Sequence, residues 1–223
     1  MRPQFVRVAD RVAHIRCSTV YNGDFHIEGH PVALAHRRQA FAPGRWTQLD
    51  EVHGIDVHLV HEPGDHDGAV GDAAVTRSAG AVLAVWVGDC APVALVGADG
   101  ALGAAHAGWR GALDGVLQRT VRAMHSRDVR AWLGPCIGPC CYEFGPDELD
   151  VMVRRYGDVV AATTTWGAPS LDMRAVVEVA LAEVDVVVDD QSECTRCHAD
   201  RYFSHRRGQR QRQVMTVRSM VSA

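Results

Sequence analysis

The chain contains 223 residues, of which 47% are hydrophobic and 22% are charged, as in ordinary globular domains. This composition excludes a disordered, collagen-like or coiled-coil chain, and the length suits a single domain spanning residues 1–223. The formal net charge of −4 indicates no basic footprint for nucleic acid or an anionic membrane, so we expect a small-molecule partner.

Residue types that are missing narrow the chemistry further. All 23 basic residues are arginine, which excludes lysine Schiff-base catalysis and a P-loop lysine. The first residues lack the pattern of a signal peptide, and no apolar run approaches the roughly 18 residues of a membrane span. We therefore expect a cytoplasmic protein, monomeric or a small homo-oligomer, whose seven cysteines are free thiols or ligands rather than disulfides.

The first third of the chain is predicted to contain two strands, a helix and a further strand. Residues 4–20 alternate between apolar and polar in two runs about residues 9–10, which is typical of a half-buried hairpin. A short helix is predicted over Val32–Phe41, and residues 55–61 predict another strand.

The middle of the chain places polar residues directly after buried strands. Ala81–Val87 is continuously apolar, which predicts a fully buried strand whose end presents Asp89 and Cys90. A hairpin is then predicted from Pro92–Val96 and Ala101–Ala105, and it ends at His106.

One amphipathic helix is predicted after His106, because apolar residues recur at helical spacing from Leu113 to Met124. A second helix is predicted from Met173 to Val184 with Asp172 as its N-cap. The Gly- and Pro-rich residues 134–141 predict a loop. Further strands are predicted over Val129–Leu133, Val186–Val188 and Gln213–Met220.

Three candidate metal ligands stand at junctions between these elements: His53, Cys90 and His106. Imidazole and thiolate suit zinc, and three protein ligands leave a fourth position for water or substrate, as in catalytic sites. Because the three residues are scattered along the chain, the pattern alone leaves open that they are unrelated polar residues near turns.

Five sequence blocks resemble the signatures of the laccase-domain family, once called polyphenol oxidase and similar to bacterial peptidoglycan-editing factors. The blocks are VHG at 52–54, GDCAP at 88–92, HAGWRG at 106–111, GPCIGPCCYEFG at 134–145 and CTRCHADRYFSHRR at 194–207. This resemblance implies an α/β (α+β) fold, a layered α/β/β/α sandwich with mixed sheets. It also implies a zinc-dependent purine nucleoside phosphorylase that cleaves adenosine, inosine or methylthioadenosine with phosphate, with adenosine deaminase activity beside it.

The resemblance places His53, Cys90 and His106 on the family's zinc ligands, with copper as the alternative metal. One departure concerns Glu51, because the family usually has Gln two residues before the first ligand. A carboxylate there would change the polarity around the substrate or become a partner of the metal ligands. The alternative is a solvated glutamate in a loop.

Catalytic and substrate-binding roles are predicted for residues around this centre. Arg110, in the first helical turn after His106, is a candidate phosphate ligand, the alternative being a surface arginine. Asp89 is a candidate proton acceptor or orienting partner of His106, although an aspartate after glycine also fits a turn.

The later blocks supply candidate residues for the base and the ribose. Cys141, Tyr142 and Glu143 are candidate substrate-binding residues, where Tyr142 would stack on or hydrogen-bond a purine and Glu143 would accept from its amino group. The alternative is that at least one of Cys140 and Cys141 is only a small buried side chain. Arg206 is a candidate for an anionic or ribose group.

A cysteine pair in the last block matches two unrelated metal motifs. Cys194 and Cys197, followed by His198, match the haem-attachment pattern, which we interpret as accidental. The pair would also be half of a structural zinc site, with no second well-spaced pair in the sequence.

Other functions remain open from the sequence. The same residues would suit a metal-free cysteine amidohydrolase acting on peptidoglycan precursors, with Cys90 as nucleophile, His106 as base and Asp89 or His53 as orienting residue. A multicopper oxidase would need His-x-His pairs, which the sequence lacks. A metal-stabilised adaptor domain would keep the ligands but need no pocket.

Overall fold

The computed structural model describes residues 2–8 and 11–221, which form two large β-sheets, a small β-hairpin and flanking helices. The strands are β1 Gln4–Val8, β2 Arg11–Cys17, β3 Arg45–Gln48, β4 Val57–Val60, β5 Ala73–Thr76, β6 Ala81–Val87, β7 Ala91–Gly97, β8 Leu102–Ala107, β9 Val129–Leu133, β10 Ala161–Thr163, β11 Pro169–Leu171, β12 Val187–Asp190 and β13 Gln213–Val221. The α-helices are α1 Pro31–Phe41, α2 Trp109–Leu113, α3 Val116–Ala123, α4 Pro146–Tyr156 and α5 Met173–Ala182.

Both large sheets are mixed. The five-stranded sheet has the order β1-β2-β13-β6-β3, and only the β6/β3 pair is parallel. The six-stranded sheet has the order β12-β9-β7-β8-β5-β4, with parallel pairs at its two edges. The chain passes from one sheet to the other between β6 and β7, so this junction lies at the boundary of the two layers.

Strand β6 shows why a continuously apolar run is needed. Val82 and Ala84 pack on the side of α1, with Leu34 and Phe41. Leu83 and Val85 belong instead to the core between the two sheets. Because successive side chains of a strand point to opposite faces, a strand that is covered on both faces must be apolar at every position.

The largest core lies between the six-stranded sheet and helices α2, α3, α4 and α5. With α1 on the outer face of the other sheet, the layers follow the order helix, sheet, sheet, helices. The predicted α/β/β/α sandwich with mixed sheets is therefore confirmed. None of the helices that the structure describes has the length and apolar character that crossing a lipid bilayer requires.

Most of the predicted elements are present, with one clear correction. Strands β1 and β2 pair as the predicted hairpin, whose turn at residues 9–10 lies outside the described residues. The helix predicted from Leu113 to Met124 is wrong as a single element, because α2 ends at Leu113 and α3 begins at Val116. Gly115 between them has φ +92°, a left-handed conformation that interrupts the α-helical hydrogen bonds.

Replacing the buried Leu95 of β7 with alanine is expected to lower the free energy of unfolding by about 2–5 kcal/mol, because a cavity remains in the core. Leu59→Ala is the matched control, since that leucine is 47% exposed and the expected change is below about 0.5 kcal/mol. Urea denaturation followed by tryptophan fluorescence measures both. Equal losses would contradict the layer assignment.

Candidate metal centre and substrate cavity

The three predicted metal ligands come from different elements and meet at one place. His53 lies in the loop between β3 and β4, Cys90 lies at the junction between β6 and β7, and His106 is in β8. Their ligand atoms all lie within 4.8 Å of one another. The Cys90 Sγ is 3.6 Å from the His53 Nε2, and the two imidazole centroids are 4.9 Å apart.

A buried carboxylate, Asp72, holds two of these ligands in place. Its Oδ1 is 2.8 Å from the Nδ1 of His106, which leaves the Nε2 of that ring for another partner. The same carboxylate accepts hydrogen bonds from the backbone amides of Val52, His53 and Gly54. A carboxylate bonded to the far nitrogen of a ligand histidine is a common feature of metal sites.

The backbone of His53 is held in an unfavourable conformation. Its φ is +60°, in the left-handed region that costs a non-glycine residue about 1–2 kcal/mol. The amide of His53 donates to Asp72 Oδ1 at 2.9 Å, which stabilises this conformation. Strain of this kind is typical of functional sites, where the surrounding structure imposes a required geometry.

Two glycines of the HAGWRG block allow the His53 loop to approach α2. A Cβ at Gly108 would lie 2.4 Å from the His53 Cδ2, and a Cβ at Gly111 would lie 2.7 Å from the Gly54 carbonyl oxygen. Both distances are shorter than any ordinary contact. The glycines of this block are therefore explained by close packing beneath the candidate metal ligand.

The electrostatic environment favours a positive charge between the three ligands. Burial alone would lower the pKa of His106, but Glu51, Cys90 and the hydrogen bond to Asp72 raise it well above its ordinary value. Burial raises the pKa of the Cys90 thiol, yet the two imidazoles outweigh this effect and bring it to about 6. A thiolate near neutral pH beside an oriented imidazole is a donor set that fits zinc.

Glu51 is part of this environment rather than a solvated loop residue. Its side chain is only 5% exposed, its Oε2 lies 3.6 Å from the His106 Nδ1, and its Oε1 accepts from the Trp86 amide. Burial raises the pKa of this carboxyl to about 8 despite the opposing effect of His106. The solvated alternative is therefore wrong.

The candidate ligands open onto a cavity of about 350 Å³. Its walls include Arg110, Tyr142 and Arg206, as well as the candidate ligands. The Arg206 guanidinium lies 4.8 Å from the Tyr142 ring centroid, and that of Arg110 lies 4.4 Å from the Trp109 ring. Because α2 has only five residues, the charge of Arg110 itself is the main attraction for an anion at that wall.

The structure assigns Asp89 a different contact set from the predicted one. Asp72, and not Asp89, orients His106. The Asp89 carboxylate accepts from the hydroxyls of Thr195 and Ser204 and from the backbone amide of Arg206. The residue borders the cavity, but its bonds fix the segment that carries Arg206.

Two predicted substrate residues lie outside the cavity wall. The indole nitrogen of Trp166 donates to Glu143 Oε2, and Glu143 is exposed. Cys141 is buried beside three other cysteines and does not line the cavity. Sequence reasoning missed Asp72, for which the chain offers no signal beyond an aspartate before a short apolar run.

The fold and this site define a class: an α/β/β/α protein with a candidate His, Cys, His metal centre beside an accessible cavity. The family model described as multi-copper polyphenol oxidoreductase laccase matches residues 20–219. The chain therefore belongs to this laccase-domain family.

Similar proteins carry the name of an enzyme. A purine nucleoside phosphorylase of Xylella fastidiosa (strain Temecula1) is 38% identical over 181 residues, which are 76% of this chain and 70% of that protein. The purine nucleoside phosphorylase YfiH of Escherichia coli K12 is 35% identical over 181 residues, which cover 77% of this chain and 74% of that protein. A crystal structure of a Neisseria meningitidis protein has a TM-score of 0.81 at 25% identity, over 97% of this chain and 98% of its own.

Asp72→Asn is expected to weaken metal binding by about 10–100-fold, because the ring of His106 and the His53 loop both lose their shared carboxylate. Competition with a chromogenic chelator measures the affinity. The exposed Asp56 gives the control Asp56→Asn, for which no change is expected. Unchanged affinity in both variants would refute the positioning role of Asp72.

Proposed function

We propose that this protein is a zinc-dependent purine nucleoside phosphorylase that also deaminates adenosine, with residues 1–223 as one catalytic domain. The observation that carries the proposal is the convergence of His53, Cys90 and His106 at the wall of a cavity that also presents arginines. Three protein ligands beside an accessible cavity are typical of catalytic zinc. The relatives named purine nucleoside phosphorylase support the reaction class.

The reaction joins phosphate to the sugar as the base leaves. The bond between ribose C1′ and the purine nitrogen breaks with its electron pair on the base, an oxygen of phosphate bonds to C1′, and the base takes up a proton. When bound, zinc supplies Lewis acidity at the position that the three protein ligands leave open. The products are free base and ribose 1-phosphate from adenosine or inosine, and free base and 5-methylthioribose 1-phosphate from methylthioadenosine.

The chain's own residues bind and orient the two substrates. Arg110 and Arg206 present forked donors to phosphate and the ribose hydroxyls. Arg206 also donates to the Glu143 carbonyl oxygen at 3.0 Å, which limits its movement. Burial raises the pKa of Tyr142, so its phenol stays a hydrogen-bond donor to a bound purine at neutral pH.

A cysteine amidohydrolase is the second candidate, and the low pKa of Cys90 is the observation that favours it. The Cys90 sulfur forms a hydrogen bond with His106, the predicted base, and lies 3.6 Å from the Nε2 of His53, which is also the geometry of a nucleophile and its base. The two functions differ in their need for metal, because a thiolate that ligates zinc is a poor nucleophile toward an amide.

His106→Ala is expected to remove the ion of this centre and abolish phosphorolysis, whereas the exposed His61→Ala keeps both. The measurements are elemental analysis and phosphate-dependent release of base from adenosine and inosine. If active wild-type protein contained copper instead of zinc, the proposed metal would be wrong but the three ligand residues would stay the same. Amide hydrolysis by chelator-stripped protein, blocked by alkylation of Cys90, would overturn the phosphorylase in favour of the second candidate.

Arg110→Gln is expected to raise the KM for phosphate by about 10–100-fold, the equivalent of losing one charge-assisted hydrogen bond of about 1.5–3 kcal/mol. Arg130→Gln, an exposed position on β9, is the control and should leave KM unchanged. Initial rates at varied phosphate and saturating inosine give the value. An unchanged phosphate KM in Arg110→Gln would remove this arginine from the phosphate site.

A further inference from the structure

A second group of potential ligands lies outside the cavity wall and consists only of sulfur. Cys140 and Cys141 come from the loop between β9 and α4, and Cys194 and Cys197 come from the segment between β12 and β13. The four Sγ atoms all lie within 4.8 Å of one another. The second cysteine pair that a site at Cys194 and Cys197 requires is therefore Cys140 and Cys141. These two residues are adjacent in the chain, a spacing that the sequence pattern did not indicate.

The sulfur separations fit a tetrahedral ion better than a disulfide. The Cys140 Sγ is 3.6 Å from those of Cys141 and Cys197, and the Sγ atoms of Cys141 and Cys197 are 3.4 Å apart. A disulfide requires about 2.05 Å. Four sulfurs at the zinc–sulfur distance of about 2.3 Å would be about 3.8 Å apart along the edges of a tetrahedron.

Two backbone amides and one guanidinium lie beside the sulfurs of the cluster. The backbone amides of Gly138 and Cys197 form hydrogen bonds to the Cys194 sulfur, as expected for the tight turn of a Cys-x-x-Cys ligand pair. A Cβ at Gly138 would lie 3.3 Å from the Cys140 Sγ and 3.5 Å from the Arg174 Nη2, so this guanidinium flanks the same glycine as the sulfur. The buried Nε of Arg174 has no hydrogen-bond partner among the described residues.

We propose that Cys140, Cys141, Cys194 and Cys197 bind one zinc ion in a closed, structural site that is separate from the candidate catalytic centre. Four thiolates leave no open position, which is the arrangement of structural rather than catalytic zinc. The net negative charge of such a site is offset in part by the guanidinium of Arg174.

The role of this site is to join two loops that build the cavity. Tyr142 follows Cys141 directly, and Thr195, next to Cys194, donates to the Asp89 carboxylate that also binds the Arg206 amide. The backbone of Thr195 donates to the Cys136 carbonyl oxygen at 3.0 Å. An ion at the four sulfurs therefore fixes the segments that carry Tyr142 and Arg206.

The test uses protein in which the first centre has been disabled. His106→Ala, purified under reducing conditions, is expected to retain one zinc ion per chain, and the Cys197→Ser/His106→Ala double variant is expected to lose it. When the protein is produced in cobalt-supplemented medium, His106→Ala should show the intense visible and charge-transfer absorption of a tetrathiolate cobalt site. Cys17→Ser/His106→Ala, which alters a cysteine outside the cluster, is the control and should keep the ion and the spectrum.

If the double variant does not fold, the cobalt spectrum of His106→Ala still tests whether the four sulfurs bind a metal ion. Metal-free His106→Ala that remains folded would overturn the proposal, as would a mass deficit of two hydrogens that shows a disulfide within the cluster. A cobalt spectrum with fewer than four thiolate ligands would also overturn the closed site. Because none of these measurements depends on activity, their failure would leave the proposed phosphorylase untouched.

Discussion

The arrangement of the candidate centre depends on one buried carboxylate. Asp72 accepts three backbone amides from the His53 loop and binds the ring of His106, so a single side chain determines where two imidazoles lie. Its own side chain is fully buried. A buried charge is tolerated only when its hydrogen bonds are satisfied. The hydrogen bonds that satisfy Asp72 therefore also hold the His53 loop and the His106 ring in place.

The regular parts of the fold follow from local pattern. The run Ala81–Val87 and the alternating Gln213–Met220 are predictable because apolar periodicity reports which faces are covered. Helix α4 was not predicted, although Gly145-Pro146 at its start, acidic residues in its first turn and Gly157 after its end are ordinary boundary signals. The break between α2 and α3 depends on the conformation of Gly115, which helical periodicity does not reveal.

The site was predictable only to the extent that its chemistry is visible in residue type. His53, Cys90 and His106 are recognisable as ligand types, and the family blocks place them together. Asp72 and the partners of Asp89 were not recognisable from the sequence, because the roles of both carboxylates depend on contacts between residues far apart in the chain. The pairing of Cys141 with Cys197 has the same origin, since the two residues meet only through the tertiary fold.

Strand β13 is the last element of the described chain, yet it lies in the middle of its sheet, between β2 and β6. Until β13 is synthesised, β2 and β6 have no partner on their facing edges. This pairing joins residues far apart in the chain, so without β13 the facing edges of β2 and β6 are unprotected. A chain that lacks β13 is in consequence expected to aggregate, because both exposed strand edges offer unpaired backbone groups to other chains.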